Sequence, residues 1–358
     1  MITFSNIRLT VVLATAIGLQ ACQVNDNPEA KPYDTGVLVL NEGNFQKGNA
    51  SVSFLNRNES TAITDIFRTV NNRFVGDVLQ DYAEANGRGY LVVNNSNKIE
   101  VVEATTFKSV GAIESGLPQC RRIQIVSADK AYVSCWGDAQ TKPGVAVVDL
   151  RTLKVTAYIP TGKGPEDLLL AGNRVLVANS GGFEVASTVD VIDVTTDKVT
   201  STIPVGDVPT NLVTDSEGQV WVLCSGKPTW SSPNGMTTAE LVRINPATAS
   251  VTRRLVIDGK AINSNPDELS TNKERTMLYF VAANGVHTVL TSATAVTLDK
   301  PVIRRGFYGL GVDPATNNIY GSDPLDYSRQ GYVFRYKSTG ERIDSVKVDL
   351  IPTGFYFK

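Results

Sequence analysis

The feature that most limits what this chain can fold into is a β-rich segment that returns seven times. Its copies are Leu38-Val39-Leu40-Asn41, Leu91-Val92-Val93-Asn94, Tyr132-Val133-Ser134-Cys135, Leu176-Val177-Ala178-Asn179, Trp221-Val222-Leu223-Cys224, Tyr279-Phe280-Val281-Ala282 and Tyr320-Gly321-Ser322-Asp323, at steps of 53, 41, 44, 45, 58 and 41 residues. Steps of about 40–50 residues match one propeller blade. Each copy leads through a loop to an alternating strand, as in Val145–Asp149, Val189–Asp193 and Leu241–Asn245, and then to a further strand such as Lys154–Ile159. Alternation over five residues marks a half-buried strand. A proline-bearing bend, as at Pro118, Pro165, Pro209, Pro266 and Pro352, opens the next unit. Four short strands per unit predict an all-β, seven-bladed propeller.

The ends complete one another. Gly36–Asn41 is a second strand with no first strand before it, and Pro352–Lys358 is a first strand with nothing after it. Pairing the two closes the ring and leaves no open sheet edge.

Residues 1–21 read as a signal segment, with Arg8 ahead of an apolar run from Leu9 to Leu19 that is too short to span a bilayer. The sequence Leu19-Gln20-Ala21-Cys22 resembles the lipobox of bacterial lipoproteins, which implies lipidation of Cys22. Acyl chains there would tether the protein stably. The expected organisation is signal peptide 1–21, lipidated cysteine and linker 22–35, and propeller 36–358. Removing the signal takes away one Arg and no acid, so the formal charge moves from −2 to −3. Neither charge nor pattern offers a basic patch for nucleic acid.

Blade four carries Val177-Ala178-Asn179, Val189-Asp190-Val191-Ile192-Asp193 and Thr202-Ile203-Pro204-Val205-Gly206. This resembles the YVTN-type, YncE-like propeller repeat. The opening Leu40-Asn41-Glu42-Gly43-Asn44-Phe45, followed by Asn49-Ala50-Ser51-Val52-Ser53, is similar to the start of DUF5074-like surface propeller lipoproteins that capture cobalamin beside outer-membrane transporters. The resemblance implies an exported protein at the outer membrane or cell surface that is not an enzyme. It also implies cobalamin as a ligand rather than a cofactor, and a TonB-dependent transporter as a partner. A protein-binding scaffold and a metal-dependent lactonase remain as alternatives, because fold alone decides no function.

In a blade that runs inner strand first, the start of the first strand and the loop leaving the second lie on one face of the disc. That face is the expected binding face. Its loops carry Asn41, Glu42, Phe45, Asn94, Trp136, Phe183, Trp230 and Tyr327, an aromatic and amide set able to grip a large flat ligand. Around the channel mouth, repeat-equivalent positions carry Asp77, Cys120, Asp167, Asn211, Glu268, Gly309 and Gly354. The oxygen donors of Asp77, Asp167, Asn211 and Glu268 suit Ca²⁺ and resemble the metal set of propeller lactonases. The single histidine, His287, alternates within a strand and cannot build a multi-histidine site. If Val126 pairs with Asp129, then Cys120 lies opposite Cys135, and an exported chain would oxidise the pair to a disulfide. Cys224 is expected to be free, buried and opposite Asn211.

Overall fold

Second-strand residues alternate between two apolar faces, and that alternation generates the fold. The computed structural model describes residues 31–227, 235–257, 268–282 and 285–358, so the expected signal segment, Cys22 and Trp230 lie outside the described residues. In the strand Arg88–Val93, Leu91 and Val93 enter an apolar cluster with Leu38 and Phe54, while Tyr90 and Val92 enter another with Ile123 and Val133. A strand buried on both faces reads as a continuous apolar run. Repetition of this division gives seven clusters, one between each pair of neighbouring blades.

Seven antiparallel sheets result. Their inner strands, from blade one to blade seven, are Pro352–Phe357, Leu79–Ala85, Cys120–Ile125, Pro165–Ala171, Pro209–Thr214, Leu269–Thr271 and Gly309–Val312. Each touches the next and the last touches the first, so the ring is closed around a central channel. Blade six has three strands among the described residues, and an isolated bridge from Val286 to Ile303 stands on its outer side. The first step of the repeat is long because a helix, Ile66–Asn71, is inserted between blades one and two and buries Ile66 and Phe67.

The termini pair as expected. Leu38 stands opposite Tyr356 and Val39 opposite Phe355. Lys358 fastens the seam: its ammonium, 4% exposed, reaches Glu84 Oε1 at 2.7 Å and the Ala104 carbonyl at 2.6 Å. A buried Lys held by a carboxylate and a carbonyl is satisfied, and it ties the last residue of blade one to blade two.

One backbone device recurs on the pocket side of the disc. Val78, Gln119, Gly164, Val208 and Ile351 have φ between 50° and 61°, and each sits at the start of an inner strand. Positive φ strains β-branched residues such as Val78, Val208 and Ile351. The bulge that follows slips the inner strand against its neighbour, as between Leu79 and Asp81 or between Pro165 and Leu168. At Gly164 the approach is close enough to require glycine, since a Cβ would lie 1.9 Å from the Gly182 nitrogen.

Candidate functional site

In five of the blades this bulge sets which inner-strand residue follows the bend. In every blade a polar residue, a cation or a glycine precedes a large apolar residue: Asp81-Tyr82, Arg122-Ile123, Asp167-Leu168, Asn211-Leu212, Glu268-Leu269, Gly309-Leu310 and Gly354-Phe355. The registers agree, because Ile123 pairs with Val133, Leu168 with Val177 and Leu269 with Phe280, each two residues before the end of the second strand. Of the expected channel set, Asp167, Asn211, Glu268, Gly309 and Gly354 hold this position in their blades. The set needs correction at two positions, where Asp81 replaces Asp77 and Arg122 replaces Cys120.

Asp77 lies on the rim, where its carboxylate accepts from the Gln46 backbone N–H at 3.2 Å and the Asn95 amide at 2.6 Å. The correction changes the chemistry of the ring, because a guanidinium now stands among the carboxylates. Arg122 lies 3.9 Å from both Asp81 and Glu268 and donates to the Gln80 carbonyl at 2.7 Å. Burial alone would lower its pKa, but Asp81, Glu268, Glu166 and Asp167 around it hold it above its ordinary value.

The carboxylates also bridge blades. Asp81 accepts from the Ile123 N–H and Asp167 from the Leu212 N–H, each at 2.8 Å and each on the next inner strand. Burial pushes the Asp167 carboxyl up to about 7, against the opposing pull of Arg122. No group of three His, Cys, Asp or Glu able to hold a metal occurs among the described residues. The expected Ca²⁺ set of Asp77, Asp167, Asn211 and Glu268 is thus not gathered. One member lies on the rim, and each oxygen of Asp167 already accepts a backbone N–H, from Leu168 and Leu212.

Above this ring, on the expected face, a cavity of about 300 Å³ opens at the disc surface. Glu42, Gln80, Arg121, Arg122, Trp136 and Glu166 are among the residues that line it, with Asn211, Glu268 and Tyr308. One wall is a locked assembly. Arg121 grips both oxygens of Glu166 at 2.8–3.1 Å and lies 4.4 Å above the Trp136 ring, while Trp136 Nε1 donates to Glu166 at 3.0 Å. Phe183 meets Trp136 edge-on at 5.3 Å and is 75% exposed. On another wall, Glu42 accepts from Gln80 at 2.9 Å and from the Tyr308 hydroxyl at 3.1 Å. Burial raises the Glu42 pKa despite both donors and the nearby Arg121. Tyr327, half exposed, packs edge-on against Tyr308, and the Asn44 amide ties the adjoining Phe45 loop to the Tyr327 carbonyl at 2.6 Å.

Of the residues expected to bind ligand, the structure brings Glu42 and Trp136 to the cavity, with Phe183 packed against Trp136. Phe45 and Tyr327 are exposed on loops of the same face. Asn41 and Asn94 are corrections. Asn41 is fully buried and donates to the hydroxyls of Ser51 and Ser53, while Asn94 donates to the Cys120 carbonyl at 2.8 Å. Short amides at strand ends are used here to satisfy the backbone and neighbouring strands. Arg121, Arg122, Gln80, Glu166 and Tyr308 were not foreseen. The polar-then-apolar pair at the start of each inner strand is the signal that points to Arg122, and Gln80, Arg121 and Glu166 stand immediately before that pair in their blades.

Cys120 and Cys135 stand opposite one another as expected, and in this structure both are reduced, buried thiols. Each sulfur is turned to a carbonyl, that of Cys120 towards Val93 at 3.7 Å and that of Cys135 towards Val133 at 3.7 Å. Cys224 is free and buried as expected, but its partner is Pro209 rather than Asn211 because of the bulge. His287 is 2% exposed in the third strand of blade six and stacks on Phe280, away from the cavity.

The chain belongs to the family described as Domain of unknown function (DUF5074), which it matches over residues 35–358. No curated protein matches it significantly. Among solved structures it is similar to a quinonprotein alcohol dehydrogenase-like protein from Bacteroides thetaiotaomicron, with TM-score 0.67, 15% identity, and 91% of this chain and 78% of that one covered. A functionally unknown protein from Desulfotomaculum acetoxidans gives TM-score 0.64 and 12% identity over 90% and 98% of the two chains. These likenesses show the propeller fold.

Proposed function

We propose that the cavity face captures a ligand at the cell surface without transforming it, and that a corrinoid such as cobalamin is its first candidate. The observation that carries this reading is the contrast at the mouth. The charged and polar groups of the walls are committed to one another, while Phe183, Phe45 and Tyr327 project into solvent from the same face. A rigid polar throat beneath an exposed aromatic rim supports burying a flat apolar face while the throat takes a polar edge. A cavity of about 300 Å³ is too small to enclose a macrocycle, so the ligand would lie across the rim with one side group inserted. The only histidine is buried away from the cavity, which disfavours histidine-based acid–base chemistry there.

In this reading Cys22 is lipidated, the segment to residue 35 is a tether, and the protein sits at the outer membrane, passing its ligand to a TonB-dependent transporter. Calorimetric titration of residues 23–358 with cobalamin and cobinamide, with Ca²⁺ titrated separately, tests it. Saturable corrinoid binding that Phe183→Ala weakens about 10-fold or more is the expected result, from the apolar burial of one Phe side chain. Silence with corrinoids and a tight Ca²⁺ isotherm would move the assignment to a metal-dependent hydrolase. Silence with both would leave a protein-binding scaffold.

A further inference from the structure

Cys120 and Cys135 occupy directly opposed positions on the inner and second strands of blade three, within the apolar cluster between blades two and three. Their immediate successors in sequence are Arg121 and Trp136, whose stacked side chains form the locked wall of the cavity. The strand pair that holds that wall therefore carries two thiols at its base. We propose that Cys120 and Cys135 are a disulfide-forming site that staples the Arg121–Trp136 wall.

Closure needs an external disulfide, either that of a thiol–disulfide oxidoreductase or oxidised glutathione. One cysteine thiolate attacks it, releasing the first external thiol and leaving a mixed disulfide. The second cysteine then attacks the protein sulfur of that mixed disulfide and releases the other external thiol. The protein loses two protons and two electrons, and the oxidant gains both. Because the two thiols are fully buried in the folded ring, an oxidant reaches them before the blade closes. The bridge thus forms during folding and is shielded from exchange afterwards.

The staple is independent of what the cavity binds, whereas its bearing on affinity rests on the capture reading. Residues 23–358, which contain the compact unit Lys31–Lys358, would be refolded in glutathione redox buffer, denatured and alkylated. The expected product is lighter than the reduced chain by two hydrogens before alkylation, and after it carries a single alkylated cysteine, Cys224. Its melting temperature is about 4 °C above that of the reduced form, from the closure of a short loop. Cys224→Ser should leave no free thiol and keep the bridge. Amide exchange across residues 119–137 should slow in the oxidised form. Three alkylated cysteines, or a link to Cys224, would overturn the site. Equal exchange in the two forms would overturn the stapling. Cobalamin titration of both forms separates the ideas further, since a formed bridge in a chain that ignores cobalamin would refute capture alone.

Discussion

Replacing Arg122 by Gln removes the cation at the centre of the channel. At pH 8 the variant leaves Asp81, Asp167 and Glu268 facing one another with the guanidinium gone. At an effective dielectric of about 20, each 3.9 Å contact of Arg122 with Asp81 and Glu268 is worth roughly 4 kcal/mol before desolvation is subtracted. Stranding buried carboxylates in this way costs about 3–5 kcal/mol net. For a domain this long the unfolding entropy is about 0.7 kcal/mol/K, so the melting temperature should fall by about 4–7 °C. The pH dependence is the discriminating part. Burial raises the carboxyl pKa values of Asp81 and Asp167, the latter to about 7, above their ordinary values. A raised folded-state pKa means that the native state holds more protons than the unfolded one between about pH 4 and 7, so stability from these groups rises as pH falls through that window. At pH 5 the Asp167 carboxyl is largely protonated and that of Asp81 is shifted in the same direction, so the deficit of the variant should be smaller there than at pH 8. Thermal melts of both proteins at pH 5 and pH 8 make the measurement. A loss of the same size at both values, or none at pH 8, would refute the view of Arg122 as a resident counter-ion.

Three further outcomes follow from the geometry. Gly164→Ala should cost about 2 kcal/mol or more and displace the Ser180–Phe183 loop, because the added Cβ meets the Gly182 backbone; chemical denaturation and ligand titration together check it. Asp77→Ala, which removes only rim hydrogen bonds, should change stability by about 1 kcal/mol at most and leave metal content as it was, read by denaturation and elemental analysis. Lys358→Ala should cost about 2–3 kcal/mol by leaving Glu84 without its buried partner and loosening the seam, with hydrogen exchange in Pro352–Phe357 rising before that of other inner strands.

The fold was legible because its information is local. The strands Val145–Asp149, Val189–Asp193 and Leu241–Asn245 read from alternation appear as Gly144–Asp149, Thr188–Asp193 and Glu240–Asn245. Closure of the ring followed from two half-blades at the ends. The site was harder because it depends on bulges, and a bulge shifts register by one residue without marking the composition. The pairing of Cys120 with Cys135 shows how this works. The expected Val126–Asp129 turn is replaced by one in which Val126 N–H bonds to the Lys130 carbonyl, and Ile125 pairs with Ala131. The bulge between Cys120 and Ile123 then restores the expected pair, so the right partners came from the wrong turn. At Asp77 no such cancellation occurs, and the channel carboxylate lies four positions further on, at Asp81.

The corrected ring bears on where a ligand can sit. In a closed propeller the inner strands of neighbouring blades do not pair with each other, so their facing N–H groups need acceptors from side chains. Asp81 and Asp167 supply them across two blade junctions, Gln124 Oε1 accepts from the Leu170 N–H at 3.2 Å, and Ser270 Oγ accepts from the Val312 N–H at 3.1 Å. Carboxylates used for this purpose crowd negative charge into a narrow channel, and Arg122 offsets it from within. A ligand that entered the channel would have to break stitches that hold the blades together. One that stays above it meets Arg121, Glu166, Trp136 and the Glu42–Tyr308 pair with their geometry already fixed by the ring below. Asp81 and Asp167 therefore support the cavity while Arg122, Asn211 and Glu268 line it, and substitutions that separate stability from affinity should fall at Asp167 on one side and at Phe183 and Tyr327 on the other.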